Sequence, residues 1–353
     1  MSDFMIRFFI SNIFISGAIC ILLIMKRLFK NSLSGRMQYR LWLLLPILLC
    51  IPLLPLCQIN LPQISPWFGH WKNAATHSAE ATLSNVTAAP ATTVNWMNDF
   101  TISINSNLPP FVGHLLFGIW MAGILLMILW IAKSSLRLRS IEKSALPLQN
   151  PGVCQIYQCC LTEMRIRKDI PIYSTAFLKS PIITGLWKPR IYLPLHLISE
   201  YNEPDIRYML LHELQHYKHK DTLTNYLMLL TQTIYWFNPL IWYSLREMRT
   251  YREIACDAYV LEMLSEDEYA AYGDTLINFA EKLSKSPFPF AAGLGGSMSQ
   301  MKRRIISIAN YEKPTFTRKL KGTIAFLLTA VLLLELAPFL STYAAEKEYS
   351  HQS

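Results

Sequence analysis

The chain has 353 residues, of which 52% are hydrophobic and only 16% charged, and its mean hydropathy is +0.23. Such a composition excludes an intrinsically disordered chain and points to a membrane protein. The net charge of +9 is read as a topology signal, because no helix-turn-helix and no basic stripe interleaved with aromatics argues for nucleic-acid binding.

Four stretches are apolar enough to cross about 30 Å of hydrocarbon, which takes about 20 helical residues. They are approximately Phe4–Met25, Leu41–Cys57, Phe111–Ala132 and Thr323–Leu340. The second is short and carries Pro46, Pro52 and Pro55, which suits a kinked or tilted helix. With only Arg7 ahead of the first span and no clear small-residue cleavage site, that span reads as an anchor.

Basic residues set the orientation. Lys26, Arg27, Lys30, Arg36 and Arg40 fill the loop after span one, and Lys133, Arg137, Arg139 and Lys143 follow span three. Arg318, Lys319 and Lys321 precede span four, whereas 58–110 has the single lysine Lys72. The expected layout is two transmembrane helices over 1–57, an extracellular loop over 58–110, and a third helix over 111–132. A cytoplasmic domain over 133–320, a fourth helix over 321–341 and a short outer tail over 342–353 complete it. The amino terminus is then outside the bacterial plasma membrane. Glu335, the one carboxylate deep in a span, is a functional candidate by default.

The cytoplasmic part reads as α+β. Residues 133–146 continue span three as a basic helix, and 152–168 form another. Short β-like runs follow at Ile170–Ser174, Ile182–Thr184 and Arg190–Leu193, with Gly185–Pro189 as a turn. They fit either an edge for an extended substrate or an ordinary hairpin.

His212-Glu213-Leu214-Gln215-His216 decides the chemistry. Residues four apart share a helix face, so both imidazoles can meet one metal ion, and Glu213 can act as the general base of a zinc peptidase. Pro204 and Asp205 suit a helix start, and Ile206, Met209, Leu210 and Leu214 supply its apolar face. His219, three residues further on, is read as a solvated residue near the helix C-terminus rather than a ligand.

Thr222–Tyr243 is apolar and aromatic and breaks at Asn238-Pro239. A complete crossing there would put His212 and Glu253 on opposite sides of the bilayer, so the stretch is read as buried or interfacial. Helices over 245–263 and 266–284 come next. In the first, Glu253 and Asp257 are again four apart; one can supply the third ligand and the other can orient a ligating ring. Two histidines and one glutamate leave a fourth position for water. The alternative for Glu253 is a surface charge paired with Arg249 or Arg252.

Ser284–Ser299 is rich in Gly, Pro and Ser, and a short basic helix follows at Met301–Ile305. Self-cleavage near 284–305 and a plain membrane-proximal linker both fit. Among the seven cysteines no CxxC occurs, and cytoplasmic thiols stay reduced. Cys159-Cys160 is read as packing, and Cys256 as core, facing away from Glu253.

These features together resemble the integral-membrane antirepressor metallopeptidases, the BlaR/MecR-type β-lactam sensor-transducers. The HExxH helix with Lys218 and Asp221 carries the likeness, as do Arg252–Asp257, Ser180–Ile191, Phe237–Leu240 and the order of spans. The resemblance implies a gluzincin-like domain in which His212, His216 and Glu253 bind Zn2+, Glu213 is the base and Asp257 orients the ligands. It also implies proteolysis triggered from outside, directed at the protein's own linker and at a cytoplasmic transcriptional repressor, in antibiotic-resistance-type regulation. Family receptors carry an extracellular penicillin-binding domain after span four; here Ser341–Ser353 follow, so 58–110 is the expected sensing segment and direct β-lactam binding is not expected. Two rivals remain: a constitutive membrane quality-control metallopeptidase and a non-proteolytic transducer. The sequence leaves oligomeric state open, although a homodimer would suit a receptor that cuts a neighbouring copy.

Overall fold

The computed structural model describes residues 2–29, 33–50, 109–284, 298–313 and 315–340. Nearly all of the expected outer loop 58–110, most of the Gly/Pro/Ser-rich stretch and the tail 341–353 lie outside the described residues. Two compact units divide the chain. One comprises Met1–Ile15, Cys50–Gly118 and Leu336–Ser353, and its described residues are almost all helical. The other, Ser16–Leu49 with Ile119–Glu335, carries the sheet and the HExxH helix.

The long apolar runs are helical because a helix satisfies its backbone polar groups within one segment. They are α1 (Ser2–Leu28), α2 (Gly35–Cys50, with Pro46 inside) and α3 (Pro110–Ser144). Among the described residues, Phe4–Leu28 and Phe111–Ser144 are long and apolar enough to cross a membrane. On α3 the side chains of Ile119, Leu125, Leu126, Ile128, Leu129 and Trp130 all remain exposed, as expected of a helix whose surroundings are themselves apolar. The basic stretch after the third span is the continuation of this same helix and stops at Ser144.

A four-stranded sheet follows. Its strands are β1 (Leu146–Pro147), β2 (Ile172–Thr175), β3 (Ile182–Thr184) and β4 (Arg190–Pro194), in the order β1-β2-β4-β3. β2 and β4 are parallel, whereas β3 pairs antiparallel with β4 in a hairpin, opposing Ile183 to Ile191. Gly185 makes the turn at φ +89°, where an added Cβ would sit 2.3 Å from the Lys188 carbonyl oxygen.

Between β1 and β2 lies α4 (Pro151–Glu163), capped by Asn150, whose side chain accepts from Val153 N. It stops earlier than the apolar pattern suggests, because Arg165 adopts φ 56°. Ile166 N then bonds to Leu161 O and Arg165 N to Thr162 O, a Schellman ending that leads the chain into β2.

After β4 come α5 (Leu195–Glu200), α6 (Glu203–Lys218), α7 (Asp221–Ile234), α8 (Pro239–Met263) and α9 (Glu268–Ser284). They are followed by α10 (Met298–Ala309) and α11 (Phe316–Leu340). Glu335 lies on α11, but its side chain is outside the described residues. The chain breaks at Asn238-Pro239, as the sequence indicates. Asn238 caps α8 by accepting from Leu240 N and Ile241 N, so α8 begins six residues before the expected 245.

The core gathers α4, β4, α6, α8 and α9 around Leu210, Leu211 and Leu214, all fully buried. The turn between α1 and α2 docks on α8. Lys26 pairs with Glu247, and Arg36 donates to Glu262 Oε2 (2.6 Å) and to Ala258 O (2.8 Å). Gly35 allows the approach, since a Cβ there would meet Ile254 Cγ2 at 2.5 Å.

Candidate metal centre

α6 presents the HExxH residues. Asn202 caps it by accepting from Asp205 N at 2.9 Å, Pro204 sits in the first turn, and Glu203 and Asp205 face the positive helix end. One face of α6 is driven into the core by Ile206, Leu210 and Leu214. His212 and His216 are thereby held against α8 and α9.

Three atoms converge. Nε2 of His212 and Nε2 of His216 are 3.2 Å apart. Oε2 of Glu253, from α8, lies 3.5 Å from the first and 3.6 Å from the second. Donors bound at about 2.0–2.1 Å around a tetrahedral zinc stand about 3.3 Å apart, so this triangle has the size the ion requires. His212 and Glu253 thus meet although the apolar chain over 222–243 lies between them.

The outer ring nitrogens are fixed by carboxylates, as expected around metal-ligating histidines. Nδ1 of His212 lies 3.2 Å from Asp257 Oδ1 and 3.2 Å from the Tyr272 hydroxyl, and Tyr272 donates to the same Asp257 oxygen at 2.7 Å. Nδ1 of His216 lies 2.6 Å from Asp221 Oδ2. This second contact depends on a turn: Lys220 adopts φ 57°, ends α6 and starts α7 at Asp221. Tyr39 of α2 adds a long hydrogen bond to Asp221 Oδ1 at 3.5 Å. Burial, and after it the Asp221 charge, push the Tyr39 hydroxyl up to about 12.

Glu213 is half-buried, and burial pushes its carboxyl above the usual carboxylate range. That is the direction a general base working near neutrality needs. Burial opposes ionisation of Glu253 as well, but His216, His212 and Arg252 outweigh it and hold the group well below its ordinary value. For both imidazoles burial favours the neutral form. Cys256, Asp257 and Glu253 around His212, and Cys256, Glu253 and Asp221 around His216, outweigh burial and raise both rings.

Cys256 corrects the sequence reading. It is buried, yet its Sγ stands within 4.8 Å of ring nitrogens of His212 and His216. Three residues along a helix turn 300°, which returns to within 60° of the start, so Cys256 shares a face with Glu253. Its thiol donates to His212 O at 3.3 Å, tying α8 to α6. His219 is turned elsewhere, with Nδ1 2.9 Å from Gln215 O and its ring stacked on Tyr259 at 4.0 Å.

Two arginines complete the site, of which the sequence reading weighed only Arg252, as a surface partner of Glu253. Arg304, on α10, forks onto Asp257, with Nε to Oδ2 at 2.8 Å and Nη2 to Oδ1 at 2.7 Å. Its Nη1 is 3.8 Å from Glu253 Oε2 and its Nη2 3.4 Å from His212 Nε2. Arg252 takes the other oxygen of Glu253, Nη2 donating to Oε1 at 3.2 Å. The surface pairing considered for Glu253 thus coexists with its place in the triangle, one oxygen serving each.

Comparison with known proteins gives the family. Residues 6–308 match the family described as BlaR1 peptidase M56. The chain is 30% identical to the Regulatory protein BlaR1 of Bacillus licheniformis, over 98% of this chain and 58% of that protein. It is 26% identical to the Methicillin resistance mecR1 protein of Staphylococcus aureus, over 99% of this chain and 58% of the relative. The Regulatory protein BlaR1 of Staphylococcus aureus is 26% identical over 43% of this chain and 27% of its own length. The chain therefore spans a little over half the length of the first of these relatives. A match that runs through both apolar helices and the whole metal centre makes this chain a member of the BlaR1 peptidase M56 family.

Proposed function

We propose that the protein is a membrane-embedded zinc metalloendopeptidase of the gluzincin type that acts in signal transduction, cleaving itself, a cytoplasmic transcriptional repressor, or both, in response to an extracellular signal. The triangle of His212, His216 and Glu253 carries this reading. These three side chains would hold the zinc, which when bound supplies Lewis-acid polarisation of the scissile carbonyl and activation of water.

The chain's own residues supply the rest. Glu213 removes the proton of the attacking water and hands it to the leaving amine. Asp257 and Asp221 fix the two rings in the tautomer that points Nε2 inward. β3 is an edge strand beside β4, and its outer side, unpaired among the described residues, can align an extended peptide by main-chain pairing.

Four transmembrane helices, with the catalytic domain cytoplasmic, fit the basic residues that flank the spans. The ion pairs of Lys26 and Arg36 with α8 support this reading, because the proposed topology requires the basic turn to lie beside the helix that carries Glu253. Relatives named as regulatory and resistance proteins favour regulation over housekeeping proteolysis. The test is Glu213→Ala in the full chain: zinc stays bound while cleavage of the linker and of a co-expressed repressor stops. Undiminished cleavage by that variant would remove Glu213 from the reaction, and undiminished signalling without cleavage would favour a transducer that does not cut.

A further inference from the structure

The side-chain pattern around Glu253 is unusual for a helix. Arg252 and Glu253 are sequence neighbours, and neighbours on a helix point about 100° apart. Their contact is therefore not a default helix pair. It arises because Arg252 is pulled across by α7: its Nη1 bonds to Asn225 Oδ1, and its Nε lies 4.0 Å from Asp221 Oδ2. The guanidinium is only 12% exposed, and no hydrogen-bond partner for Nε exists among the described residues. A buried arginine with spare donor capacity is costly unless the contacts it makes are needed.

Those contacts divide the Glu253 carboxylate. Oε1 accepts from Arg252 at 3.2 Å, while Oε2 faces both imidazoles. Arg304 forks onto Asp257 through Nε and Nη2, while its Nη1 stays 3.8 Å from Oε2, beyond hydrogen-bond distance, and leaves that oxygen available. The Arg252 guanidinium also stands beside Asp221, which orients His216. One cation thus touches one candidate ligand and the support of another.

We propose that Arg252 is a positioning residue: by holding Oε1, it lets Glu253 offer a single oxygen to the metal and keeps the fourth position of the site open. This rests on the zinc-peptidase reading and adds how the coordination number is set. Without the arginine, Oε1 would be free to swing inward and bind as a second oxygen beside the water, raising the coordination number to five and crowding the position that substrate needs.

Cobalt(II) in place of zinc tests this in the full chain in detergent, because its visible bands are intense when four-coordinate and weak when five-coordinate. Arg252→Met is expected to lose band intensity while keeping cobalt, and Arg252→Lys, which can still donate to Oε1, to recover much of it. Asn225→Ala, which removes the anchor without touching a candidate ligand, should lose intensity in the same direction and serves if Arg252→Met does not fold. An Arg252→Met protein with bound cobalt and the wild-type spectrum overturns the proposal, as does an Asn225→Ala protein with that spectrum should Arg252→Met not fold. Wild-type protein that takes up no cobalt or zinc fails the metal reading itself, a different result from an unchanged spectrum.

Discussion

Oδ2 of Asp221 lies 2.6 Å from Nδ1 of His216, although Asp221 belongs to the next helix. The left-handed Lys220 between them makes this contact. A carboxylate in this position fixes the ring and raises its basicity toward a metal. Asp221→Ala is therefore expected to weaken zinc affinity about 10- to 100-fold, with Asp221→Asn intermediate. Chelator competition on the purified chain measures it, and an unchanged affinity in the alanine variant would leave Asp221 only the role of a favourable charge in the first turn of α7.

The two raised imidazoles give metal uptake a pH dependence with a definite sign. Free imidazole loses its proton near pH 6.5, and both rings here are held well above that. Protons held on these rings compete with zinc, so zinc affinity rises with pH through the neutral range. The same shifts make the metal-free protein draw stability from these groups below the ordinary histidine value, and lose it as pH climbs through the raised values. Zinc titrations at about pH 6, 7 and 8 check the first statement; a flat or falling profile would contradict it.

The HExxH helix and the Glu253–Asp257 spacing were legible because both rest on helical periodicity, which sequence records directly. The break at Asn238-Pro239 was legible for a similar reason, since proline and an Asn cap are local signals. Asp221 and Arg304 were not assigned their contacts, because those depend on one left-handed residue and on where α10 docks. Cys256 could have been placed from the sequence, since three residues on a helix stay on one face. The strand ends were off by a residue or two because pairing partners set them.

Gly185 holds the β3–β4 turn at a positive φ against the Lys188 carbonyl. Gly185→Val strains the backbone and collides with that oxygen, at a cost of about 1–3 kcal/mol. If β3 is the edge that receives substrate, cleavage falls further than folding does. Thermal unfolding and peptide cleavage on the same variant separate the two; unchanged cleavage in a destabilised variant would leave β3 as an ordinary hairpin strand.

Arg304 and Asp257 form a deeply buried ion pair at the centre, with side-chain exposures of 11% and 1%. Burial raises the Asp257 carboxyl, but Arg304 outweighs it and drives the group far below the ordinary carboxylate range. Removing one partner leaves an uncompensated charge inside the protein. Arg304→Ala is thus expected to cost about 3–5 kcal/mol of stability. Arg304→Met with Asp257→Asn removes both charges and should cost less than the sum of the single changes. Because Asp257 stays ionised in the folded state, its contribution is present above its unfolded value near 3.8 and disappears only as pH falls toward the depressed one. The wild-type chain should therefore outlast Arg304→Ala most clearly at neutral pH, and the gap should narrow in acid. A double-mutant cycle followed by thermal unfolding at both pH values measures this; strictly additive changes would mean that the two side chains, though 2.7 Å apart, stabilise the fold independently.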